Sequence, residues 1–280
     1  MFFEIVHTTR FVYSRPVFLE PHTVRLRPRC DCAQRLVHFT VGVDPLPAGR
    51  SECIDLDGNT STRLWFDGLH ESTTLTATSG VETLCARPFD YFLEPAALEL
   101  PMTYSGAQAA LLEPYRTPSG SEREVADFAG AVAREAGGRT NPFLAALNGR
   151  IYETCEKIIR EEGDPLPPAV TLARRQGACR DLTMLFMEAC RSVGIAARFV
   201  SGYEAGDPET QERYLHAWAE VYLPGAGWRG YDPMHGLGVA DRHVALATGP
   251  TPDQAQPISG TFRGTGATSS MAATLSIRVR

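Results

Sequence analysis

One cysteine, Cys179, stands directly before a run of apolar residues with helical spacing. The run consists of Leu182, Leu185, Phe186, Ala189, Cys190 and Val193. This pattern predicts a buried helix with Cys179 in its first turn and Cys190 on its core-facing side. Unpaired backbone N–H groups and the positive end of the helix dipole lie in that first turn, and both stabilise a thiolate over a thiol. The sequence therefore favours Cys179 as a nucleophile.

A nucleophilic thiol needs a base to take its proton and a third group to orient that base. His216 and Asp232 lie in two consecutive predicted strands and are candidates for these roles. If the hairpin closes with Leu223 opposite Gly227, the two side chains are diagonal neighbours on one face. If Leu223 instead pairs with Trp228, they lie on opposite faces. A Cys-His-Asp constellation requires the first register, or a bulge with the same effect.

The segments around these residues resemble the bacterial transglutaminase-like cysteine protease family. They are residues 177–181 (GACRD), 191–203 (RSVGIAARFVSGY), 216–222 (HAWAEVY) and 228–233 (WRGYDP). Residues 5–13, 22–29 and 57–59 are similar to the β-rich domain that precedes the core in this family. The resemblance implies a papain-like fold with a Cys-His-Asp triad, which here is Cys179, His216 and Asp232.

The predicted fold class is α+β, with an N-terminal antiparallel β-sandwich followed by a papain-like, transglutaminase-like core. In residues 1–84, short runs rich in Val, Thr, Phe and Leu are broken by Pro, Gly and Asn. Residues 85–120 contain five prolines among apolar side chains, which predicts a linker wrapped against the core. Residues 121–280 are assigned to the core.

Two helices are predicted between the linker and Cys179. Ser121 and Glu124 have the spacing of a capping box, and the helix that follows should end at Gly137 and Gly138. A second helical pattern runs over about 141–162, with Cys155 on its apolar face.

Other residues near the triad are candidates for oxyanion or substrate contacts. Papain-like enzymes use a glutamine about six residues upstream of the cysteine, where this chain has Ala173, whereas Gln176 lies three residues upstream. Gln176 is therefore a candidate oxyanion donor beside the backbone N–H of the cysteine itself. Trp218, Tyr203 and Asp181, which lie in the segments that carry the resemblance, are the further candidates.

The remaining histidines are given structural roles at this stage. His7, His22 and His70 are interpreted as surface or strand-end residues. His235, which stands where the family more often has asparagine, and His243 are secondary candidates near the site, but we favour their interpretation as ordinary polar loop residues.

No metal or other cofactor is expected. Cys30, Cys32, Cys53 and His38 lack the ligand spacing of common zinc sites. There is also no acidic cluster with the spacing of a calcium loop.

Composition limits the partners and the compartment. The net charge is −6, and no basic patch with interleaved aromatic residues occurs, so a nucleic-acid partner is not expected. No stretch has the length and apolar character of a membrane span or a signal peptide, so a membrane partner is not expected either. Seven cysteines, an odd number, fit a reducing compartment, and we expect a cytoplasmic protein. The oligomeric state is left open.

The expected function is hydrolysis of peptide or glutamine-type carboxamide bonds in a protein or peptide substrate, through a thioester acyl-enzyme. The triad alone does not distinguish this reaction from protein crosslinking, in which an amine replaces water. Acyl transfer of the arylamine N-acetyltransferase type is a third reaction that uses Cys-His-Asp, and a papain-like module that binds peptides without turnover is the non-enzymatic alternative.

Overall fold

The computed structural model describes residues 1–118, 123–160, 163–206 and 213–280. Up to residue 118 the elements are β1 (Phe2–Leu19), β2 (His22–Val24), β3 (Gln34–Asp44), β4 (Gly49–Ile54), β5 (Thr60–Trp65), β6 (His70–Thr83), α1 (Gly106–Leu111) and α2 (Glu113–Arg116). From residue 123 they are α3 (Arg123–Glu135), α4 (Thr140–Thr154), β7 (Glu156–Lys157), α5 (Pro168–Arg174), β8 (Gln176–Gly177), α6 (Cys179–Ser192), β9 (Ala197–Glu204), β10 (His216–Leu223), β11 (Gly227–Asp232), β12 (Leu237–Gly238), β13 (His243–Gly249), β14 (Ile258–Ser259), β15 (Phe262–Arg263) and β16 (Ser269–Val279). The α+β prediction is confirmed.

Two antiparallel sheets form the N-terminal β-sandwich. One contains β15, β1, β6 and β3 in that order, with β16 also paired to β1, and the other contains β14, β2, β5 and β4. Inward-facing side chains alternate along β1, where Phe3 and Ile5 are buried and join Val24 and Leu64 of the second sheet in one apolar cluster. This period-two pattern is the signal that identified the region as β-rich.

The C-terminal segment belongs to the β-sandwich, so the predicted extent of the core, 121–280, is wrong at its C-terminal end. Strand β16 pairs with β1 over the whole stretch from Phe3 opposite Val279 to Tyr13 opposite Ser269. β1 is 18 residues long and pairs with β6 along its other edge. The C-terminal strand therefore covers backbone groups of β1 that would otherwise form an exposed sheet edge.

The core is built on a five-stranded sheet with the order β12, β11, β10, β9, β13. α6 packs against it because its apolar face, which includes Leu182 and Phe186, meets the small side chains of Ala217 and Ala219 on β10. Tyr104, from the segment interpreted as a linker, contacts this core, since its hydroxyl donates to the Tyr222 carbonyl oxygen at 2.7 Å. Cys190 is fully buried in this core, as predicted.

Two side-chain amides join the β-sandwich to the edge strand of the core sheet. The amide of Gln34 donates to the Ala245 carbonyl at 2.9 Å and accepts from the Ala245 N–H at 2.7 Å. The amide of Asn59 does the same with Thr248, at 2.7 and 2.8 Å. Each amide thus satisfies the backbone groups of one β13 residue, as a neighbouring strand would.

His7 is buried in the middle of β1, so its interpretation as a surface or strand-end residue is wrong. His22 and His70 do stand at strand ends, as the first residues of β2 and β6, although His22 is buried. Nδ1 of His7 lies 3.0 Å from the Tyr203 hydroxyl and its Nε2 lies 3.2 Å from the Thr9 hydroxyl. Burial lowers the pKa of His7 to about 4. The imidazole is therefore a neutral component of the interface between β1 and the core sheet.

The helix predictions are confirmed in part. α3 agrees with its pattern, while Ser121 of the predicted capping box lies outside the described residues. α4 ends at Thr154, earlier than predicted, and Cys155 is buried but extended. The reason is that β7 leaves the helix to form a parallel pair with β8, the strand that leads to Cys179. No helix in the described ranges has the length and apolarity needed to cross a membrane.

Candidate active site

Cys179 is the first residue of α6, as the sequence predicts. The turn before it requires glycine, because a Cβ at Gly177 would lie 2.9 Å from the Cβ of Asp181 and 3.3 Å from Leu182 and Thr171. Close contact between β8 and the start of α6 therefore depends on the missing side chain. Cys179 is half-buried, and as the first helical residue its backbone N–H has no partner within the helix.

Asp181 fixes the start of α6 rather than contacting a substrate. Its carboxylate is fully buried and accepts hydrogen bonds from the backbone N–H of Ala178 at 2.9 Å and of Leu166 at 2.8 Å. It also pairs with the guanidinium of Arg160 at 2.6 Å. These partners occupy the carboxylate and hold the residues on either side of Cys179, so the expectation of a substrate contact is replaced by a positioning role.

His216 and Asp232 come together through the first of the two predicted registers. Leu223 pairs with Gly227 in the β10–β11 hairpin, and His216 and Asp232 then meet where the two strands end. Nε2 of His216 lies 2.7 Å from Oδ2 of Asp232. With Nε2 committed to the carboxylate, Nδ1 is the ring nitrogen left to face Cys179, whose interaction with His216 helps to raise the pKa of His216.

The charges in the site reinforce one another. Burial opposes ionisation of Asp232, yet the charge and hydrogen bond of His216 and the hydrogen bond of His243 hold the pKa of Asp232 below its usual range. Burial also opposes protonation of His216, but the Asp232 charge and the hydrogen bonds to Asp232 and Cys179 raise the pKa of His216 well above 6.5. The site therefore favours an ionised carboxylate beside a protonated imidazole.

His243 is part of this site, and its interpretation as a polar loop residue is wrong. It is the first residue of β13, is buried, and has its Nε2 at 3.0 Å from Oδ2 of Asp232. The backbone N–H of Met234 donates to the other carboxylate oxygen at 2.9 Å. Asp232 thus accepts from two imidazoles and one backbone amide, which explains how a fully buried carboxylate remains charged.

Trp218 and Tyr203 are too deeply buried to contact a substrate in this conformation, since each is 1% exposed. The Trp218 ring packs beside His216 and His243, with centroid distances of 6.1 and 5.2 Å. The Tyr203 hydroxyl is bonded to His7 instead. Trp218 therefore supports the His216 ring, whereas Tyr203 belongs to the contact with the β-sandwich.

Gln176, the candidate oxyanion donor, lies in β8. Its side-chain amide donates to the Glu156 carboxylate at 3.0 Å. The two residues are opposite each other in the β7–β8 pair. An oxyanion role for this amide stays a prediction.

Among the residues that the structure describes, two groups of side chains have a geometry that could hold a metal ion. In each group, one ligand atom per residue lies within 4.8 Å of the others; the groups are Glu204, His216 and His235, and His216, Asp232 and His243. The group of His216, Asp232 and His243 is buried, and its members are already joined by hydrogen bonds. The group of Glu204, His216 and His235 reaches the surface, because the His235 side chain is 40% exposed. Nε2 of His235 lies 2.9 Å from the Glu204 carboxylate.

Comparison with known proteins identifies both parts of the chain. Residues 145–233 match the transglutaminase-like superfamily, and residues 3–82 match the bacterial transglutaminase-like N-terminal region. Uncharacterized protein ML0607 of Mycobacterium leprae is 28% identical over 276 residues, covering 94% of each chain. The protein-glutamine gamma-glutamyltransferase of Pseudomonas aeruginosa is 34% identical over 68 residues, which cover 22% of this chain and 10% of that protein.

A solved structure has the same fold over the whole chain. It is described as a "Putative Cysteine Protease" from Cytophaga hutchinsonii, and it superimposes with a TM-score of 0.71 at 20% identity, covering 100% of this chain and 91% of the other. Together with the two family matches, this likeness accounts for both the β-sandwich and the core. Residues 145–233 therefore belong to the transglutaminase-like superfamily, and residues 3–82 form a bacterial transglutaminase-like N-terminal region.

Proposed function

We propose that the chain is a cysteine-dependent amide-bond hydrolase that acts on peptide or glutamine-type carboxamide groups of a protein or peptide substrate. The observation that carries the proposal is the position of His216, which lies between the Asp232 carboxylate and the Cys179 thiol. This order of groups matches the requirement for a nucleophile, a base and an orienting group.

In the proposed reaction, the Cys179 sulfur attacks the substrate carbonyl carbon after its proton has passed to Nδ1 of His216. Asp232 keeps the imidazole oriented and offsets its positive charge. The oxyanion is stabilised by the backbone N–H of Cys179, which is directed to the open end of α6. The protonated His216 then gives its proton to the leaving amine, and a thioester to Cys179 remains.

Resolution of the thioester needs a second nucleophile. In the proposed hydrolysis, His216 takes a proton from water, the resulting hydroxide attacks the thioester carbonyl, and the acid product leaves as the thiol is restored. Crosslinking is the second candidate reaction, with a lysine amine in the place of water. The local similarity to a protein-glutamine gamma-glutamyltransferase favours keeping it as the alternative.

A binding module without turnover is less consistent with the site. Such a module has no use for a thiol at the start of a helix or for a charged His-Asp pair behind it, and buried charges are costly to maintain. We therefore treat it as the outcome that the experiment must exclude.

The proposed cytoplasmic location follows from the sequence alone.

The experiment is mass spectrometry of the full chain after incubation with a library of glutamine-containing peptides, with and without an added primary amine. We expect an acyl adduct on Cys179 that decays to free acid, and no adduct on a Cys179→Ala variant. Adducts that end as isopeptides would instead establish the transferase. Peptides that bind without forming any adduct would support the binding module and contradict the enzyme.

A further inference from the structure

Glu204 and His235 form a pair on the open side of the catalytic histidine. Nε2 of His235 lies 2.9 Å from the Glu204 carboxylate, and the rings of His235 and His216 have their centroids 5.4 Å apart. Glu204 ends β9, and His235 follows the Asp232 end of β11. Two different strand ends therefore bring a carboxylate and a second imidazole to the same place as His216.

The side chains in this cluster are ligands that zinc prefers. One carboxylate oxygen and two imidazole nitrogens lie within 4.8 Å of one another, and two histidines with a glutamate form a common three-ligand set for zinc that leaves the fourth position open. Modest movement of these side chains would bring the three ligand atoms as close together as they must be around one ion. The His235 side chain is 40% exposed, which gives an ion a route from solvent.

His216 already has the partner that a metal-binding histidine usually has. Metal-bound imidazoles generally donate their second ring N–H to a carboxylate, which fixes the tautomer and orientation. Asp232 holds Nε2 of His216 at 2.7 Å. Nδ1 is consequently the coordinating nitrogen, and it is the same nitrogen that faces Cys179.

We propose that Glu204, His216 and His235 form an inhibitory site for zinc or a similar divalent cation. An ion on Nδ1 of His216 occupies the nitrogen that takes the Cys179 proton, while Asp232 and His243 keep their hydrogen bonds. The regulatory consequence rests on the proposed function, because inhibition requires His216 to act as the base. Zinc binding at the site does not depend on the proposed function.

Zinc binding can be measured without any substrate. The full-length Cys179→Ala protein, with its exposed thiols alkylated beforehand, is titrated with zinc chloride by calorimetry. We expect one ion per chain, and we expect Glu204→Gln and His235→Asn each to weaken binding at least about tenfold. His70→Asn is the matched control, since His70 lies in the β-sandwich and bonds to a backbone carbonyl. No binding, or equal binding by all variants, would overturn the proposal.

A second measurement tests the consequence for the thiol. In the unmodified chain, zinc should slow iodoacetamide labelling of Cys179 at least about tenfold, and a chelator should restore the rate. The His235→Asn variant should be labelled at the same rate with and without zinc. If zinc slows labelling equally in His235→Asn, the ion acts elsewhere and the assignment is wrong. Labelling without zinc tests the nucleophile separately, so failure of the metal site and failure of the proposed enzyme are distinguishable.

Discussion

His216 and His243 share one acceptor, because both have Nε2 within hydrogen-bond distance of the same Asp232 oxygen, at 2.7 and 3.0 Å. An ionised carboxylate can only accept, so both rings carry a proton on Nε2. This arrangement fixes the His216 ring with Nδ1 directed to Cys179. Asp232 is in turn fixed by His243 and by the backbone of Met234.

Asp232→Asn should leave the fold intact and reduce turnover. An amide at this position can donate to His216 and so favours the wrong tautomer, which in a related constellation lowers kcat by about 10⁴-fold. We expect a loss of about 10²–10⁴-fold in the hydrolysis of p-nitrophenyl acetate. Circular dichroism that matches the original protein is the control. A loss of less than about threefold would contradict the role assigned to Asp232.

His243→Phe tests the positioning role of the second imidazole. Loss of one N–H donor to a buried carboxylate should lower kcat about tenfold with little change in KM. His243→Gln keeps an N–H donor and should recover part of the rate. If the two variants are equally active, the His243 hydrogen bond does not act through Asp232.

Asp181→Asn should destabilise the chain. Asn cannot replace the negative charge beside Arg160 or accept equally from the two backbone N–H groups. We expect the free energy of unfolding to fall by about 2–3 kcal/mol. Urea unfolding measures it, and Asp164→Asn, at an exposed position nearby, should be close to neutral. Equal effects of the two substitutions would contradict the account of α6.

Stability should fall in mild acid because of His7. Its pKa is lowered to about 4 in the folded state from an ordinary value of 6.5, so the unfolded chain binds the proton first as the pH falls. The contribution of His7 is fully present above pH 6.5, is lost between 6.5 and 4, and amounts to about 3 kcal/mol. Urea unfolding at several pH values should show less pH dependence in His7→Gln than in His70→Gln.

Asn59→Ala tests the attachment of the β-sandwich to the core sheet. The substitution leaves the backbone N–H and C=O of Thr248 without their partners in a buried place. We predict a loss of about 3 kcal/mol in the free energy of unfolding. Asn141→Ala removes the acceptor of the Tyr91 hydroxyl at an exposed contact, and it should lower the free energy of unfolding much less. A neutral Asn59→Ala would show that the amide is not a structural link.

The sequence was most informative where local rules decide the structure. Helical spacing after Cys179 correctly predicted the start of α6. The turn itself left two hairpin registers open, and the requirement that His216 and Asp232 share a face selected the one that is observed. Gly225 and Gly227 both have positive φ there, which few other residues tolerate. The segment resemblance added the family of each part, the transglutaminase-like superfamily for residues 145–233 and the bacterial transglutaminase-like N-terminal region for residues 3–82.

Long-range contacts were not predictable in the same way. His243 reaches Asp232 because β13 pairs with β9, and no turn or periodicity in the sequence indicates that pairing. A single histidine in a polar segment also gave no sign that it would be buried. The return of β16 to β1 joins the two ends of the chain and equally has no local marker. α4 was predicted too long because a pairing with β8, rather than propensity, decides where the helix ends.

The central claim is tested most directly by the rate at which each cysteine reacts with iodoacetamide at mildly acidic pH. Peptide mapping identifies which cysteines have reacted. Cys30, Cys32 and Cys53 are exposed and serve as internal references. We predict that half-buried Cys179 reacts faster than all three, and that His216→Ala removes its advantage. If Cys179 reacts no faster than the exposed thiols, or if its rate is the same without His216, the proposed nucleophile is contradicted.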